Sequence, residues 1–166
     1  MLLIADTSVL VNFLNIDRMD LIGKHLPPCV ITEHVIAEVT EYYPVQKDRL
    51  TQALANGHLE LIPVIDDHEV ELFGRIQQSG RLGTGESSAI AVALHRGYSL
   101  AIDDRRAIKD AASMALERGT QLTILGTRDI VVRLINAGLL SIEQADVLLV
   151  SWRTQHRYHL PIRSFS

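Results

Sequence analysis

Short apolar segments alternate with amphipathic segments along the chain, and this pattern constrains the fold more than any other feature. The apolar segments at residues 2–5, 29–31, 59–63, 98–102 and 122–125 have the length and composition of buried strands. The segments between them predict helices with one apolar face. Alternation of this kind is typical of a parallel sheet with helices on both faces. We therefore predict an α/β fold with three α/β/α layers and a central parallel sheet.

The chain is expected to form one domain. Its 166 residues fall within the usual size of a domain, and no Pro/Ser/Gly-rich linker, charge block or repeat divides them. We therefore treat residues 1–166 as a single domain. Within it, residues 139–166 are predicted to be a C-terminal helical extension, with a helix from Ser141 to about Trp152.

Composition and charge exclude several classes of protein. A single cysteine, Cys29, cannot form an internal disulfide, so a reducing, cytoplasmic location is expected. The first apolar segment is interrupted by Asp6 and is too short for a signal peptide or a membrane span, so we expect no membrane partner. The formal net charge of −4, from 20 acidic and 16 basic residues, gives no bulk attraction for nucleic acid.

Carboxylates follow two of the predicted strands. Asp6 comes directly after the first strand, and the pair Asp103 and Asp104 comes after the fourth. Ligands of open parallel sheets bind outside the carboxyl ends of the strands, and both positions fit that location. An aspartate after a strand also commonly caps the next helix, so position alone leaves both interpretations open.

Two glutamates on predicted helices add to these aspartates. Glu86 lies three, four and seven residues before Ala89, Ile90 and Ala93, on the face that small apolar residues mark as packed. Its position in a first helical turn also suits the helix dipole. Glu38 borders the apolar face of its helix and is equally consistent with a solvated position.

Several carboxylates in one cleft repel each other unless cations neutralise them. A ligand set of oxygen atoms, with no histidine or cysteine, favours Mg²⁺ or Mn²⁺ over Zn²⁺. Such sites commonly act on phosphoryl oxygens. The acidic residues therefore predict a divalent-metal site for phosphate chemistry.

Five segments containing these residues stand in a fixed order along the chain. They are 4–8 (Ile-Ala-Asp-Thr-Ser), 36–39 (Ile-Ala-Glu-Val), 82–90 (Leu-Gly-Thr-Gly-Glu-Ser-Ser-Ala-Ile), 100–107 (Leu-Ala-Ile-Asp-Asp-Arg-Arg-Ala) and 126–127 (Gly-Thr). In this order they resemble the motifs of PIN-domain nucleases, a ribonuclease family that includes toxins of prokaryotic toxin–antitoxin pairs. The resemblance covers about residues 2–138. Asp129 departs from the family pattern, and no motif after Gly138 matches.

The resemblance implies a PIN-like fold and a metal-dependent endoribonuclease. It implies that the catalytic quartet binding Mg²⁺ or Mn²⁺ is Asp6, Glu38, Glu86 and Asp104. Asp103 would be a supporting or alternative metal ligand. Ser8 would lie beside the metal and the scissile phosphate, and Thr127 would line the same pocket. Separately, the position of Arg105 after the aspartate pair suits contact with substrate phosphates, and suits a solvated helix face equally well.

The same resemblance implies partners. These are an RNA substrate, a small antitoxin protein and a second copy of the chain in a homodimer, the commonest symmetric oligomer. The sequence does not distinguish RNA from single-stranded DNA.

Two other functions are consistent with parts of the pattern. A phosphatase of the haloacid dehalogenase type also has a strand-terminal aspartate and a later Asp-Asp pair, but Ser8 stands where its second aspartate belongs. A non-catalytic PIN-like RNA-binding module would keep the fold without the reaction. Retention of the acidic residues argues against it, because an unused acidic cluster destabilises a fold.

Overall fold

The computed structural model describes residues Met1–Ser166 and contains five strands and nine α-helices. All predicted strands and helices are present, with ends shifted by a few residues. In chain order the elements are β1 (Leu3–Ala5), α1 (Thr7–Asn15), α2 (Met19–Lys24), β2 (Cys29–Thr32), α3 (Glu33–Tyr42), α4 (Lys47–Ala55), β3 (Glu60–Ile62), α5 (Asp67–Gln78), α6 (Thr84–Arg96), β4 (Ser99–Ala101), α7 (Arg105–Glu117), β5 (Ile124–Leu125), α8 (Thr127–Asn136) and α9 (Ile142–Gln155).

The sheet is parallel throughout, with the strand order β3-β2-β1-β4-β5. The chain moves from β1 outward to β3 and then returns to the other side of β1, where β4 pairs with it. This reversal places a topological switch point between β1 and β4, the position at which open parallel sheets bind ligands. Asp6 and Asp103 follow these two strands.

Alternating side chains of the strands point into two separate cores, one on each face of the sheet. Leu3 and Ala5 pack with residues of α1, α8 and α9, whereas Ile4 packs with residues of α6 and α7. This arrangement confirms the predicted three-layer α/β/α architecture.

The C-terminal segment contributes to the core. Trp152 of α9 is fully buried, and its ring packs edge-to-face on Phe13 with the ring centroids 5.7 Å apart. Its indole Nε1 donates to the Asn12 carbonyl oxygen at 2.8 Å. Residues 156–166 are not helical, so the prediction of a helical extension over 139–166 holds only for α9. These last residues fold back beside α9 because Ser164 and Phe165 bond to Asp146.

The chain contains no helix that is both long enough and apolar enough to cross a membrane.

Truncating Trp152 tests whether α9 is part of the core. We expect Trp152→Ala to lower the free energy of unfolding by about 3–5 kcal/mol, the usual cost of emptying a large aromatic site. Urea denaturation followed by circular dichroism measures this change. Val147 lies on the same helix but is 67% exposed, so Val147→Ala is expected to change stability by less than about 0.5 kcal/mol. Equal effects of the two variants would contradict a core role for α9.

Candidate active site

Asp6 stands at the end of the central strand and begins α1. Its carboxylate accepts hydrogen bonds from the Val9 N–H at 3.1 Å and from the Ser8 hydroxyl at 2.8 Å, so it caps the helix. The side chain is completely buried. Burial raises the pKa of Asp6 to about 7, and repulsion from Glu86 adds to this rise, although the two hydrogen bonds oppose it. Asp6 therefore both caps a helix and faces a second acid.

Glu38 links α3 to the start of α6. Its Oε1 accepts the Gly85 N–H at 2.7 Å, and its Oε2 accepts the Thr7 hydroxyl at 2.6 Å. A Cβ atom on Gly85 would lie 2.5 Å from Glu38 Oε2 and 2.8 Å from Thr7 Oγ1, closer than van der Waals contact allows. A larger residue at position 85 would therefore have to displace the side chains of Glu38 and Thr7.

Glu86 and Asp104 complete the group of acids. Glu86 is half-buried, and burial raises its pKa, with repulsion from Asp104 and Glu38 adding to the rise. Its Oε2 accepts the Gly83 N–H at 3.1 Å. Asp104 caps α7 through its Oδ1, which accepts the Ala107 N–H at 2.9 Å. The other oxygen of each carboxylate accepts no hydrogen bond from the protein.

Three of the four acids line one open cavity of about 240 Å³. The cavity is lined by Asp6, Glu38 and Glu86, together with Ser8. Asp104 lies close enough to Glu86 to raise the pKa of Glu86. Two tyrosines that the sequence analysis did not select also line it. They are Tyr42 and Tyr43, which are 66% and 41% exposed at the end of α3.

Asp103 lies in a different environment from Asp104. Its Oδ1 accepts the Thr127 N–H at 2.9 Å, and its Oδ2 accepts from Asn12 Nδ2 and the Tyr158 hydroxyl, both at 2.9 Å, as well as from the Thr127 hydroxyl. Four hydrogen bonds therefore occupy the carboxylate that was expected to be a supporting metal ligand. Thr127, expected to line the pocket, is fully buried, and its hydroxyl donates to Asp103.

Ser8 connects the two strand ends. Its hydroxyl oxygen accepts the Asp103 N–H at 3.0 Å, and the hydroxyl donates to the Asp6 carboxylate. Ser8 therefore lies next to Asp6, and its hydroxyl hydrogen is used to orient that carboxylate. Its expected position beside a metal and the scissile phosphate stays a prediction.

The Asp103 environment contains two residues that the sequence analysis missed. Asn12 is the polar residue in the apolar face of α1, which in retrospect signals a buried partner. Tyr158 belongs to a tail without helical or strand periodicity, so nothing local to the sequence identified it.

Arg105 is exposed at the start of α7 and forms no ion pair, and its contact with substrate stays a prediction. The neighbouring Arg106 lies close enough to Glu86 to oppose the rise of its pKa. The acids are therefore bordered on one side by positive charge.

The donor set fits a hard divalent cation. Asp6, Glu38, Glu86 and Asp104 offer only carboxylate oxygens. A cation among them would offset the burial that mainly raises the pKa values of Asp6 and Glu86, and the repulsion between acids that adds to the rise. No three acidic, histidine or cysteine side chains are already arranged around one point as a metal site. Coordination of one cation by three of these acids therefore requires their side chains to rearrange from the positions described above.

A family model described as a PIN domain matches residues 2–163, nearly the whole chain. The chain belongs to the PIN-domain family. A solved structure of similar fold is the VapBC2 complex of Rickettsia felis bound to a DNA fragment from its promoter. The alignment has a TM-score of 0.50 and 16% sequence identity, and it covers 76% of this chain and 98% of the other. At this identity the likeness supports the fold alone. No curated protein matches the sequence significantly.

Gly85 gives a direct test of how tightly this PIN domain packs around Glu38. We expect Gly85→Ala to lower the free energy of unfolding by about 1–3 kcal/mol, because the new methyl group displaces Glu38 and Thr7. Gly74 is a matched control, since it lies in α5 and a Cβ atom there meets nothing within 4 Å. Gly74→Ala is expected to raise stability by about 0.5–1 kcal/mol. Urea unfolding distinguishes the two, and stabilisation by both substitutions would contradict the packing described here.

Proposed function

We propose that this PIN domain is a metal-dependent endoribonuclease that hydrolyses RNA phosphodiester bonds. The observation that carries the proposal is the gathering of four carboxylates at the switch point of the sheet. Asp6 comes from the end of β1, Glu38 from α3, Glu86 from α6 and Asp104 from the start of α7. Asp6, Glu38 and Glu86 thus line one cavity, and Asp104 lies near Glu86, at the position where this type of sheet binds ligands.

Asp6, Glu38, Glu86 and Asp104 would hold Mg²⁺ or Mn²⁺. Such ions, when bound, polarise phosphoryl oxygens and lower the pKa of water to give a nucleophile. The chain itself orients the ligands: the Ser8 hydroxyl and the Val9 N–H fix Asp6, and the Gly85 N–H fixes Glu38. Arg105 and Arg106 provide positive charge for the substrate phosphates on the α7 side.

The charge of the chain bears on how RNA binds. A formal net charge of −4 gives little general attraction for a polyanion. Two bound divalent ions would bring the charge close to neutrality, and they would lie where the phosphate must bind. We therefore expect RNA to bind poorly in the absence of divalent ions.

Support for a toxin role comes from the family rather than from the site. Toxins of prokaryotic toxin–antitoxin pairs belong to the PIN-domain family, and the structural neighbour is a complex named VapBC2. We propose a small antitoxin protein that covers the acidic cleft, a homodimer of the chain, and a cytoplasmic location, which suits the free, buried thiol of Cys29. The haloacid dehalogenase alternative receives no support from the family match.

Substitution of Asp6 tests the catalytic proposal. We expect Asp6→Asn to lower Mg²⁺- or Mn²⁺-dependent cleavage of a labelled RNA by more than about 100-fold, since loss of even a supporting partner in a metal site costs 10–100-fold. Asparagine still accepts the Val9 N–H, so the α1 cap remains and the metal-free protein should unfold at the wild-type temperature or above. Cleavage that persists in the purified variant, or that EDTA leaves unchanged, would refute the assignment.

Metal binding has a readout that is independent of cleavage. We expect millimolar Mg²⁺ or Mn²⁺ to raise the unfolding temperature of the wild-type chain, because a ligand that binds only the folded state stabilises it. Asp6→Asn should remove most of this increase in thermal-shift measurements. A wild-type chain that shows no increase would instead support the non-catalytic RNA-binding module.

A further inference from the structure

The chain after α9 returns towards the acidic site and is fixed in place at two points. The Tyr158 N–H donates to the Trp152 carbonyl oxygen at 3.1 Å, and the Tyr158 ring packs edge-to-face on Trp152 with centroids 5.7 Å apart. Farther along, the Ser164 hydroxyl and the Phe165 N–H both donate to Asp146 of α9 at 2.8 Å. The position of Tyr158 is therefore set by the folded core.

From this position the Tyr158 hydroxyl donates to Asp103 Oδ2 at 2.9 Å. Asp103 follows β4 and connects it to two helices, since it also accepts from Asn12 within α1 and from Thr127 at the start of α8. A hydrogen bond to a charged carboxylate is about twice as strong as one between neutral groups. Tyr158 is thus one of three residues that fix the direction of this side chain.

Asp103 is connected to the acidic cleft in two ways. Its backbone N–H donates to Ser8 Oγ at 3.0 Å, and the Ser8 hydroxyl donates to Asp6 at 2.8 Å. Its chain neighbour is Asp104, which caps α7 and faces Glu86. Asp103 therefore lies between two members of the proposed metal-binding quartet, although its own carboxylate is occupied.

We propose that Tyr158 is a positioning residue of this active site. By holding Asp103, it fixes Ser8 and Asp6 on one side and Asp104 on the other in the geometry that metal binding requires. Asp103 then accepts the hydrogen bonds that hold the metal ligands in position. Of the two adjacent aspartates, only Asp104 is a metal ligand. The inference rests on the proposed nuclease function and assigns a role to a segment in which the sequence alone revealed no motif.

The test is Tyr158→Phe, which removes the hydroxyl and keeps the ring against Trp152. We expect kcat for RNA cleavage at saturating Mg²⁺ to fall by about 3–10-fold, while KM for RNA changes by less than about twofold, because the substitution acts on ligand geometry and not on RNA contacts. The Mn²⁺ concentration for half-saturation, measured with the protein alone by calorimetry, should rise by a similar factor. Measurements well below the unfolding temperature separate this effect from a loss of folded protein.

Ser164→Ala is the matched control. It removes the other side-chain hydroxyl that fixes the same segment but makes no contact with Asp103. If Tyr158 only fastens the segment, both variants will lower the unfolding temperature. Both will then have the same kcat and the same Mn²⁺ affinity. A positioning role predicts that only Tyr158→Phe changes kcat and Mn²⁺ affinity.

The possible outcomes separate the two proposals. A wild-type chain that cleaves RNA and binds Mn²⁺, with Tyr158→Phe unchanged or equal to Ser164→Ala, overturns the positioning role alone. A wild-type chain that binds Mn²⁺ more tightly than Tyr158→Phe but cleaves no RNA overturns the nuclease proposal alone. A wild-type chain that neither cleaves RNA nor binds Mn²⁺ overturns both the nuclease proposal and the positioning role.

Discussion

Burial of a carboxylate at the end of the central strand is the constraint on which the rest of the site depends. Asp6 follows β1, which has a parallel neighbour on each side, and its side chain is fully buried where it borders the cavity. A charge in that position is unfavourable unless donors or a cation surround it. Two donors, from Ser8 and Val9, are present, and the remaining side is formed by another acid, Glu86. The fold therefore maintains a site with a strong electrostatic preference for a cation.

The layered fold could be predicted from the sequence because it depends on local patterns. Five short apolar segments separated by amphipathic ones allow few arrangements other than a covered parallel sheet. The order of the strands follows less directly, yet Asp6 and Asp103 were expected near each other because both follow buried strands. Glu86 was also identifiable, since its helix presents it on the side occupied by small apolar residues.

The sequence could not predict which of Asp103 and Asp104 faces the other acids and which is held by hydrogen bonds. Both aspartates follow β4, and either side chain could have faced the cleft. The outcome is decided by donors that lie far away in sequence, on Asn12, Thr127 and Tyr158. For the same reason the sequence predicts only an extension for the last residues, because the partners of Trp152 and Tyr158 lie on α1 and beyond β4. Contacts of this kind leave no periodic signal in the segment itself.

The network around Asp103 also sets the order in which the site can be completed during synthesis. The central strand and Asp6 are translated first, whereas Tyr158 is translated after all four acids of the cleft. Domains fold as units once their residues are available, and contacts between distant parts of a chain form late. A nascent chain that has not reached residue 158 thus has its acids but lacks the tyrosine that we propose aligns them. For a protein proposed to cut RNA, this delay would keep the growing chain from reaching full activity beside the messenger from which it is translated.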